Sequence, residues 1–538
     1  MDARNLLESA QWEAAREAYE GILSERDDPE ALEGLGLALW FLGRIEEGVT
    51  ARERAFDGFV RAGRYDEAGR TAAWVSHQHS LQGRSSAARG WLSRAERALD
   101  DPDCEGHGWV LVERARHAER VEQCAEHARR AMEIARATRA SDLEVFALSL
   151  LGQAEVRAGR VDEGMQLLEE AMAAASAGRV RNIHTLAEAY CNLIAACTSA
   201  GDWERAAEWC ELVDEFARDH GTVPLMGVCR TIHADVLVAR GRWPEAERAL
   251  ESALQTHAGF LPELGAPTVA TMAELRIRQG RLDEAERLLA GRAEHPSALR
   301  ALAHLRIADG HPGVAAALLE RGLSAVDGDA VGITQVLAPL VDARLASGNL
   351  DGAAVAADQL ADVARGSGIR LAGARADLAA ARVELAAGRP REAAEAARRA
   401  LAEFSRLTMP LDVGEARLEL ARALAADQPD VAQEEVRAAH AAFRELGASR
   451  AMDAAAEVLR RLGTGTGARP RSQGELTVRE QEVLGLLARG MSNAQIGKAL
   501  FITEKTAGHH VSSILAKLGV RNRAEAAAHA ARDGLGSE

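Results

Sequence analysis

A short turn pattern recurs along the first 460 residues and constrains the fold more than any other feature of the sequence. It runs from a glycine through an apolar residue and an acidic residue to a small one, as in Gly63-Arg-Tyr-Asp-Glu-Ala68 and Gly280-Arg-Leu-Asp-Glu-Ala285. Self-similarity at a regular interval is typical of repeat proteins, in which every repeat packs against its neighbours. Copies begin at Gly43, Gly63, Gly83, Gly159, Gly201, Gly241, Gly280, Gly310, Gly348 and Gly388.

Each position of this pattern suits the junction between two antiparallel helices. Glycine adopts the left-handed backbone conformation that ends a helix. An apolar residue two positions later can fill the gap between the helices, and it is Ile45, Tyr65, Trp203, Trp243, Leu282 or Leu350 in six copies. A small residue five positions after the glycine permits the helices to approach closely. These small residues are Gly48, Ala68, Ala88, Gly164, Ala206, Ala246, Ala285, Ala315, Ala353 and Ala393.

The composition favours helices throughout. Alanine, leucine, arginine and glutamate dominate, and aromatic residues make up only 4% of the chain, a usage that disfavours strands. The six cysteines are irregularly spaced, so we interpret them as buried apolar side chains in a reducing compartment. The sequence contains no apolar run long enough to cross a membrane and no signal peptide. We therefore predict a cytoplasmic protein that has no membrane contact.

The repeated turn resembles that of the tetratricopeptide (TPR) family, whose Gly-x-Tyr-x-x-Ala segment joins two antiparallel helices. The resemblance implies an all-α, TPR-like α-solenoid over residues 1–460. Its units are longer than the usual TPR, because the glycines from Gly159 to Gly388 are 42, 40, 39, 30, 38 and 40 residues apart. No clean copy lies between residues 95 and 150, and an unrelated helical solenoid is the alternative. Because a solenoid offers an extended concave surface, we predict that it binds an unidentified small-molecule or protein effector.

The solenoid sequence contains few candidate sites of its own. The segment 74–79 could line a pocket, but two residues at i and i+2 do not share a helix face, so His77 and His79 are not predicted to bind a metal together. Trp203 and Trp243 are interpreted as packing residues between helices. No catalytic constellation is recognisable. We therefore predict a protein that is not an enzyme and that has no cofactor and no metal site.

The sequence changes character after residue 460. Residues 461–474 contain four glycines and a proline without periodicity, which predicts a flexible linker. In residues 475–538, four apolar segments each follow a residue that commonly caps a helix. We therefore predict a compact four-helix domain there. The four capping residues are Thr477, Ser492, Thr503 and Asn522.

Charge is divided unevenly between the two parts. The whole chain carries −16, whereas residues 469–538 hold ten Lys or Arg against seven Asp or Glu, which gives +3 and leaves −19 for the rest. A basic tail on an acidic body is expected when only the tail contacts phosphates. The only lysines are Lys498, Lys505 and Lys517, so the first 497 residues cannot contain a phosphate-binding loop of the G-x-x-x-x-G-K-[ST] type.

The tail resembles the LuxR/NarL/FixJ family of helix-turn-helix proteins. The resemblance rests on Leu476-Thr-x-Arg-Glu-x-Glu-Val-Leu484, Gly490-x-Ser-Asn493, Ile496, Thr506, His510-Val511, Ile514 and Lys517-Leu-Gly-Val520. Together with the TPR-like body, it implies a regulator similar to the large MalT-like class but without the ATPase module. It further implies double-stranded DNA and RNA polymerase as partners. The implied DNA-binding residues are Ser492, Asn493, Thr503, Lys505, Thr506, Gly508, His509, Ser512, Ser513, Lys517, Arg521 and Arg523.

In this family one face of the third helix enters the major groove, and the resemblance assigns phosphate contacts to Thr506 and Lys517. The chain has Gly508 and Ser512 where the family often has lysine, which removes cationic contacts. An apolar stripe predicts the buried face of this helix. That stripe consists of Ala507, Val511, Ile514, Leu515 and Leu518, and Lys505, His509, Ser512 and Ala516 lie opposite.

These observations predict a bacterial transcriptional regulator whose solenoid senses an effector and controls the C-terminal domain. The alternative is a TPR interaction scaffold with secondary DNA affinity. Domains of this family pair through the fourth helix, so the resemblance also implies a homodimer. The residues implied in dimerisation are Ala524, Ala527, Ala528 and Ala531.

Overall fold

A computed structural model divides the protein into two compact units, Met1–Arg460 and Arg461–Glu538. The structure describes residues 2–221, 223–465, 478–500 and 523–532, together with the single residues 508, 511, 514, 515, 518 and 520. Within these ranges the secondary structure is helical, and no β-strand occurs. The predictions of an all-α fold and of a TPR-like solenoid are confirmed.

The solenoid consists of helices that pack sequentially, each against the next from α1 to α24. A π-helical turn (Ala175–Arg179) extends α10, and two 3₁₀ turns (Pro262–Leu264 and Pro296–Ala298) precede α15 and α17. The helices are α1 (Ala3–Glu8), α2 (Trp12–Glu25), α3 (Pro29–Phe41), α4 (Ile45–Arg61), α5 (Tyr65–Leu81), α6 (Ser85–Ala98), α7 (Glu105–Arg116), α8 (Val121–Thr138), α9 (Ser141–Arg157), α10 (Val161–Ala174), α11 (Ile183–Ala200), α12 (Trp203–His220), α13 (Val223–Ala239), α14 (Trp243–Phe260), α15 (Gly265–Arg278), α16 (Leu282–Leu289), α17 (Leu299–Ala308), α18 (Pro312–Leu323), α19 (Ala330–Ala346), α20 (Leu350–Gly366), α21 (Arg370–Ala386), α22 (Pro390–Arg406), α23 (Pro410–Leu424), α24 (Pro429–Leu446) and α25 (Ser449–Gly465).

The repeated turn has the predicted geometry. All ten pattern glycines have a positive φ, between 71° and 92°, and the ten small residues that follow them are all buried. The helices approach closely at these positions: a β-carbon at Gly164 would lie 2.5 Å from the carbonyl oxygen of Gly152. One prediction is wrong, because Tyr65 does not fill the gap between its helices but is 46% exposed. The small residue alone closes that junction, since Ala68 is fully buried.

The stretch that lacks a clean copy of the pattern nevertheless forms a helix pair. Helices α7 and α8 are joined by residues 117–120, none of which has a positive φ. This connection is longer than the glycine turn, so it reverses the chain without a left-handed residue. Ala125, near the start of α8, is buried and takes the place of the small residue.

The odd-numbered helices from α5 to α23 pack against one another on the inner side of the solenoid. Contacts between residues far apart in the sequence join distant repeats within this unit. The Nε1 of Trp12 donates to the carbonyl oxygen of His220 over 2.9 Å, Arg157 pairs with Asp329 at 2.7 Å, and Ser449 Oγ donates to the carbonyl oxygen of Gln279 over 2.5 Å. These contacts connect repeats that are distant from one another in the sequence.

The last solenoid helix extends to Gly465, so residues 461–465, which the sequence analysis assigned to the linker, are helical. Residues 466–477 lie outside the described part of the chain. None of the helices in the described part is both long enough and apolar enough to cross a lipid bilayer.

Candidate functional sites

The inner side of the solenoid contains a cavity of about 510 Å³. Its walls come from the eight odd-numbered helices α11 to α25, with Trp203 contributed by α12. Pockets that hold small ligands typically measure about 300–1,000 Å³, so the cavity has the volume of a small-molecule site. Its apolar lining includes Val238, Ile277, Ile307, Leu371, Leu378 and Leu411.

Two ion-pair clusters form part of the cavity wall. Arg300 binds both carboxylate oxygens of Glu274, at 2.6 and 3.0 Å. Burial opposes ionisation of Glu274, but Arg300 and His304 lower its pKa to about 2. On the other side, Arg382 binds Asp342 and Glu415 at 2.8 Å. The bidentate Arg300–Glu274 pair is geometrically rigid, and Arg382 joins two carboxylates of the opposite wall.

Burial shifts the pKa of two titratable groups in the wall towards their neutral forms. Burial raises the pKa of Asp235 to about 6, and this carboxylate accepts a hydrogen bond from Thr271 Oγ1 at 2.9 Å. Burial likewise lowers the pKa of His304 to about 4. The sequence analysis identified none of these cavity residues, because charged residues on inner helices cannot be told from solvated ones until the inward face is known.

A second polar cluster lies between α5, α7 and α11. It contains His77, Glu113, Arg116, His184 and Glu188, surrounded by aromatic rings. Burial raises the pKa of Glu188, but Arg116 and His184 outweigh it and hold that pKa well below its usual range. Burial also lowers the pKa of His77 and of His184. The cluster therefore combines an ionised carboxylate and guanidinium with neutral imidazoles.

The geometry of this cluster bears on metal binding. Ligand atoms of His77, His184 and Glu188 lie within 4.8 Å of one another. However, Arg116 lies 3.0 Å from a Glu188 oxygen and donates to His77 Nδ1 over 3.3 Å. A metal ion there would meet a fixed positive charge, so the cluster is better described as a buried ion-pair network. His79, the neighbour that the sequence analysis considered with His77, lies instead 3.3 Å from Glu53.

The C-terminal unit is a separate small helical domain with its own core. Its described helices are α26 (Val478–Ala488), α27 (Asn493–Leu500) and α28 (Arg523–Arg532). Between α27 and α28, the residues 508, 511, 514, 515 and 518 are helical. The buried core of the unit consists of Val483, Leu484, Leu486, Leu487, Ile496, Val511, Ile514, Ala526 and Ala530. The predicted inward stripe of the third helix therefore faces the core wherever the structure describes it.

The connection between α26 and α27 is built as the cap signals indicate. Gly490 has a φ of +77° and ends α26. The backbone N–H of Gln495 donates to Ser492 Oγ at 3.3 Å, and the N–H of Ser492 donates to Gln495 Oε1 at 2.8 Å. This reciprocal pair is a capping box, which satisfies two N–H groups at the helix start. Arg523 Nη2 donates to the carbonyl oxygen of Met491 at 2.6 Å and so connects α28 to this turn.

The structure brings some of the predicted DNA-binding residues together. Ser492 and Asn493 lie at the start of α27, and Asn493 Nδ2 lies 3.5 Å from where a β-carbon of Gly508 would be. The exposed side chain of Arg523 lies beside the same turn. On α28, Ala524, Ala527, Ala528 and Ala531 are helical. The other predicted residues lie outside the described part of the chain: Thr503, Lys505, Thr506, His509, Ser512, Ser513, Lys517 and Arg521.

The fold and these sites define a class of protein, an α-solenoid with an internal cavity joined to a small helix-turn-helix unit. Comparison with known families assigns both parts. Residues 474–530 match the family model for bacterial regulatory proteins of the luxR family, and residues 110–296 match the MalT-like TPR region. The chain therefore carries a LuxR-family helix-turn-helix domain and a MalT-like TPR region, as the sequence resemblance implied.

The similar curated proteins match over the C-terminal part. The chain is 50% identical over 64 residues to the uncharacterized transcriptional regulatory protein YhcZ of Bacillus subtilis, which covers 12% of this chain and 30% of that protein. It is 38% identical over 92 residues to the DNA-binding transcriptional activator DevR/DosR of Mycobacterium tuberculosis, covering 16% of this chain and 42% of that protein. The match thus spans less than half of either relative.

Among solved structures, the chain is similar to one described as the APC/C hetero-tetramer Cut9-Hcn1. That similarity covers 86% of this chain and 95% of the other, with a TM-score of 0.47 and 11% sequence identity.

Proposed function

We propose that the protein is a DNA-binding transcriptional regulator whose solenoid senses a ligand or protein partner and thereby controls the helix-turn-helix domain. The LuxR-family match over residues 474–530 carries the proposal. The packing of the third-helix stripe supports it, because a buried Val511 and Ile514 leave the opposite face of that helix for DNA.

The proposed contacts fall into two groups. Thr506 and Lys517 bind phosphates, whereas His509 and Ser512 face the base edges in the major groove. Ser492 and Asn493 contact DNA at the start of α27, where the partial positive charge of a helix N-terminus favours phosphate. The rest of the proposed interface consists of Thr503, Lys505, Gly508, Ser513, Arg521 and Arg523.

The proposed assembly is a homodimer on inverted half-sites, paired through α28. Ala526 and Ala530 are buried in the core of the unit. Ala524 lies two positions before Ala526, and Ala528 lies two positions after it. Residues two positions apart do not share a helix face, so these two alanines belong to a different face from Ala526. Small residues on that face would permit close helix packing between two copies. We further propose a cytoplasmic regulator that acts with RNA polymerase and works by binding rather than by catalysis.

Selection of duplexes from randomised DNA by the full-length chain tests this function. We expect the wild-type chain to select a discrete inverted-repeat motif. His509→Ala and Ser512→Ala should each relax the motif at the positions that the replaced residue contacts, and each should make the free energy of specific binding less favourable by roughly 1–3 kcal/mol. Arg489→Ala, which changes an exposed residue outside the proposed interface, should keep the wild-type motif.

If both groove-face variants recover the wild-type motif, the assignment of the reading face is wrong. Genomic footprinting with the native protein separates regulation from a scaffold with secondary DNA affinity. Discrete protected sites upstream of genes support the regulator, whereas diffuse occupancy supports the scaffold.

A further inference from the structure

The cavity of the solenoid contains hydrogen-bond donors that have no acceptor. Arg278 and Arg375 both line it, and neither makes a hydrogen bond or ion pair with any residue in the described part of the chain. No Asp or Glu in the described part of the chain has a carboxylate oxygen within 4.0 Å of either guanidinium. An arginine side chain offers five N–H donors and no acceptor, so each group lacks a partner.

A third donor belongs to the same wall. Trp203 lines the cavity and is only 8% exposed, and no residue in the described part of the chain accepts a hydrogen bond from its Nε1. Indole nitrogen is a donor only. An unpaired buried donor costs free energy, because it gives up water without a replacement. Trp203 Nε1 is thus a buried donor without an acceptor, and the partly buried guanidiniums of Arg278 and Arg375 line the same cavity.

The carboxylates of the cavity do not supply that acceptor. Glu274 is bound by Arg300, and Asp342 and Glu415 are bound by Arg382. The charges of Asp412 and Glu274 act on both Arg278 and Arg375, but neither carboxylate makes an ion pair with these two arginines. Burial and the nearby Glu415 raise the pKa of Asp412, which favours its neutral form. Neither arginine is therefore held in an ion pair, although the cavity wall as a whole carries as many acidic as arginine side chains.

The two guanidiniums also act on each other. Burial lowers the pKa of Arg375 to about 10, and the charge of Arg278 contributes to that lowering. Like charges repel, and an anion between the two guanidiniums would relieve the repulsion. The apolar wall around them, including Ile277, Leu371 and Leu378, suits the hydrocarbon part of the same ligand.

We propose that the cavity binds a small organic anion, a carboxylate or a phosphate ester, whose charged group lies between Arg278 and Arg375 and accepts a hydrogen bond from Trp203. This inference deepens the proposed function, because it identifies the chemical class of the ligand that the solenoid senses. The sequence gives no sign of this site, since the two arginines are 97 positions apart and lie on different helices.

The test uses two fluorescent probes and the full-length chain. 8-Anilinonaphthalene-1-sulfonate combines an aromatic body with one anionic group, and N-phenyl-1-naphthylamine has the same body without the charge. We expect one sulfonate probe per chain, displaced by citrate or by a sugar phosphate. The two competitors distinguish carboxylate from phosphate ligands.

Arg278→Met and Arg375→Met should each weaken binding of the sulfonate probe at least about tenfold, because each removes a charge-assisted contact. Both variants should bind the neutral probe as the wild type does. Arg365→Met is the matched control, since this arginine of α20 is 71% exposed and pairs with Asp362 on the solenoid surface. Arg375→Lys keeps the charge and should retain most of the affinity, which separates loss of charge from failure to fold.

Equal affinity of all these proteins for the sulfonate probe would overturn the proposal. A parallel loss of both probes in the Met variants would also overturn it, because the cavity would then bind only by apolar contact. Neither result depends on DNA. Failure of the ligand site is therefore distinguishable from failure of the proposed regulatory function, because the DNA selection experiment tests only the regulatory function.

Discussion

The buried titratable side chains of this fold have pKa values that differ from those of the same groups in solution. His77, His184 and His304 all lie in helices of the inner layer, and burial lowers the pKa of each. A histidine that is neutral in the folded chain takes up a proton on unfolding whenever the pH is below about 6.5. The unfolded state then binds more protons than the native one, so acidification destabilises the fold.

His304 makes this effect measurable. Its folded pKa of about 4 lies below the unfolded value, so its contribution to stability is complete above about pH 6.5 and is lost as the pH falls towards 4. One such group changes the free energy of unfolding by about 1.4 kcal/mol per pH unit in this window. In His304→Gln the unfolding midpoint in guanidinium chloride should therefore depend less on pH between 7.5 and 5.5.

His304→Asn provides a second variant without a titratable group and should show the same reduced dependence. If both variants keep the wild-type pH profile, the pKa of His304 in the folded protein is close to its unfolded value, and the cavity is wetter than its burial indicates.

The sequence predicts some of these residues and misses others for a physical reason. Glycine turns and helix caps depend on residues that are close together in the sequence, so they can be recognised from the sequence alone. The approach of His77 to His184, and the presence of Arg278 and Arg375 in one cavity, join residues that are more than 90 positions apart in the sequence. Nothing in the spacing of His77 and His79 indicates that His184 and Glu188 will approach the first of them.

The helix pairs show how much of the architecture is encoded by a single small residue. Ala68, Ala246 and Ala393 are each fully buried at the junction of their pair, while the apolar residue two positions after the turn glycine varies from fully buried Trp243 to exposed Tyr65. The small residue is therefore the stricter requirement. The pattern nevertheless predicts the fold well, because every copy contributes the same turn and the same close contact.

Enlarging this residue should destabilise the solenoid. Ala393 in α22 is fully buried, so Ala393→Leu forces α21 and α22 apart and should cost about 1–3 kcal/mol. Ala402→Leu makes the same change at an exposed position of the same helix and should stay within about 0.5 kcal/mol of the wild type. Thermal unfolding followed by circular dichroism compares the two; equal losses would mean that helix separation at the junction is not constrained.

The distribution of charge links the two parts of the chain to function. The segment 469–538 carries +3 against −19 for the rest, so the acidic body adds nothing to attraction for phosphate. DNA affinity should then depend on salt only through the few cations of the C-terminal unit, because each phosphate contact releases condensed counterions.

A substitution of Lys517 tests whether the cations of the C-terminal unit account for the salt dependence of DNA binding. As a proposed phosphate contact, this lysine should contribute to affinity for every sequence alike, so Lys517→Ala should weaken specific and non-specific binding together. It should also make the slope of log K against log salt shallower by about one unit. Arg365→Ala removes a charge from the surface of the body and should leave that slope unchanged. Fluorescence anisotropy with the selected site and a scrambled duplex, measured at four salt concentrations, gives both slopes. A slope that falls equally in both variants would mean that the body contacts DNA as well, and a slope that is unaltered in Lys517→Ala would remove this lysine from the interface.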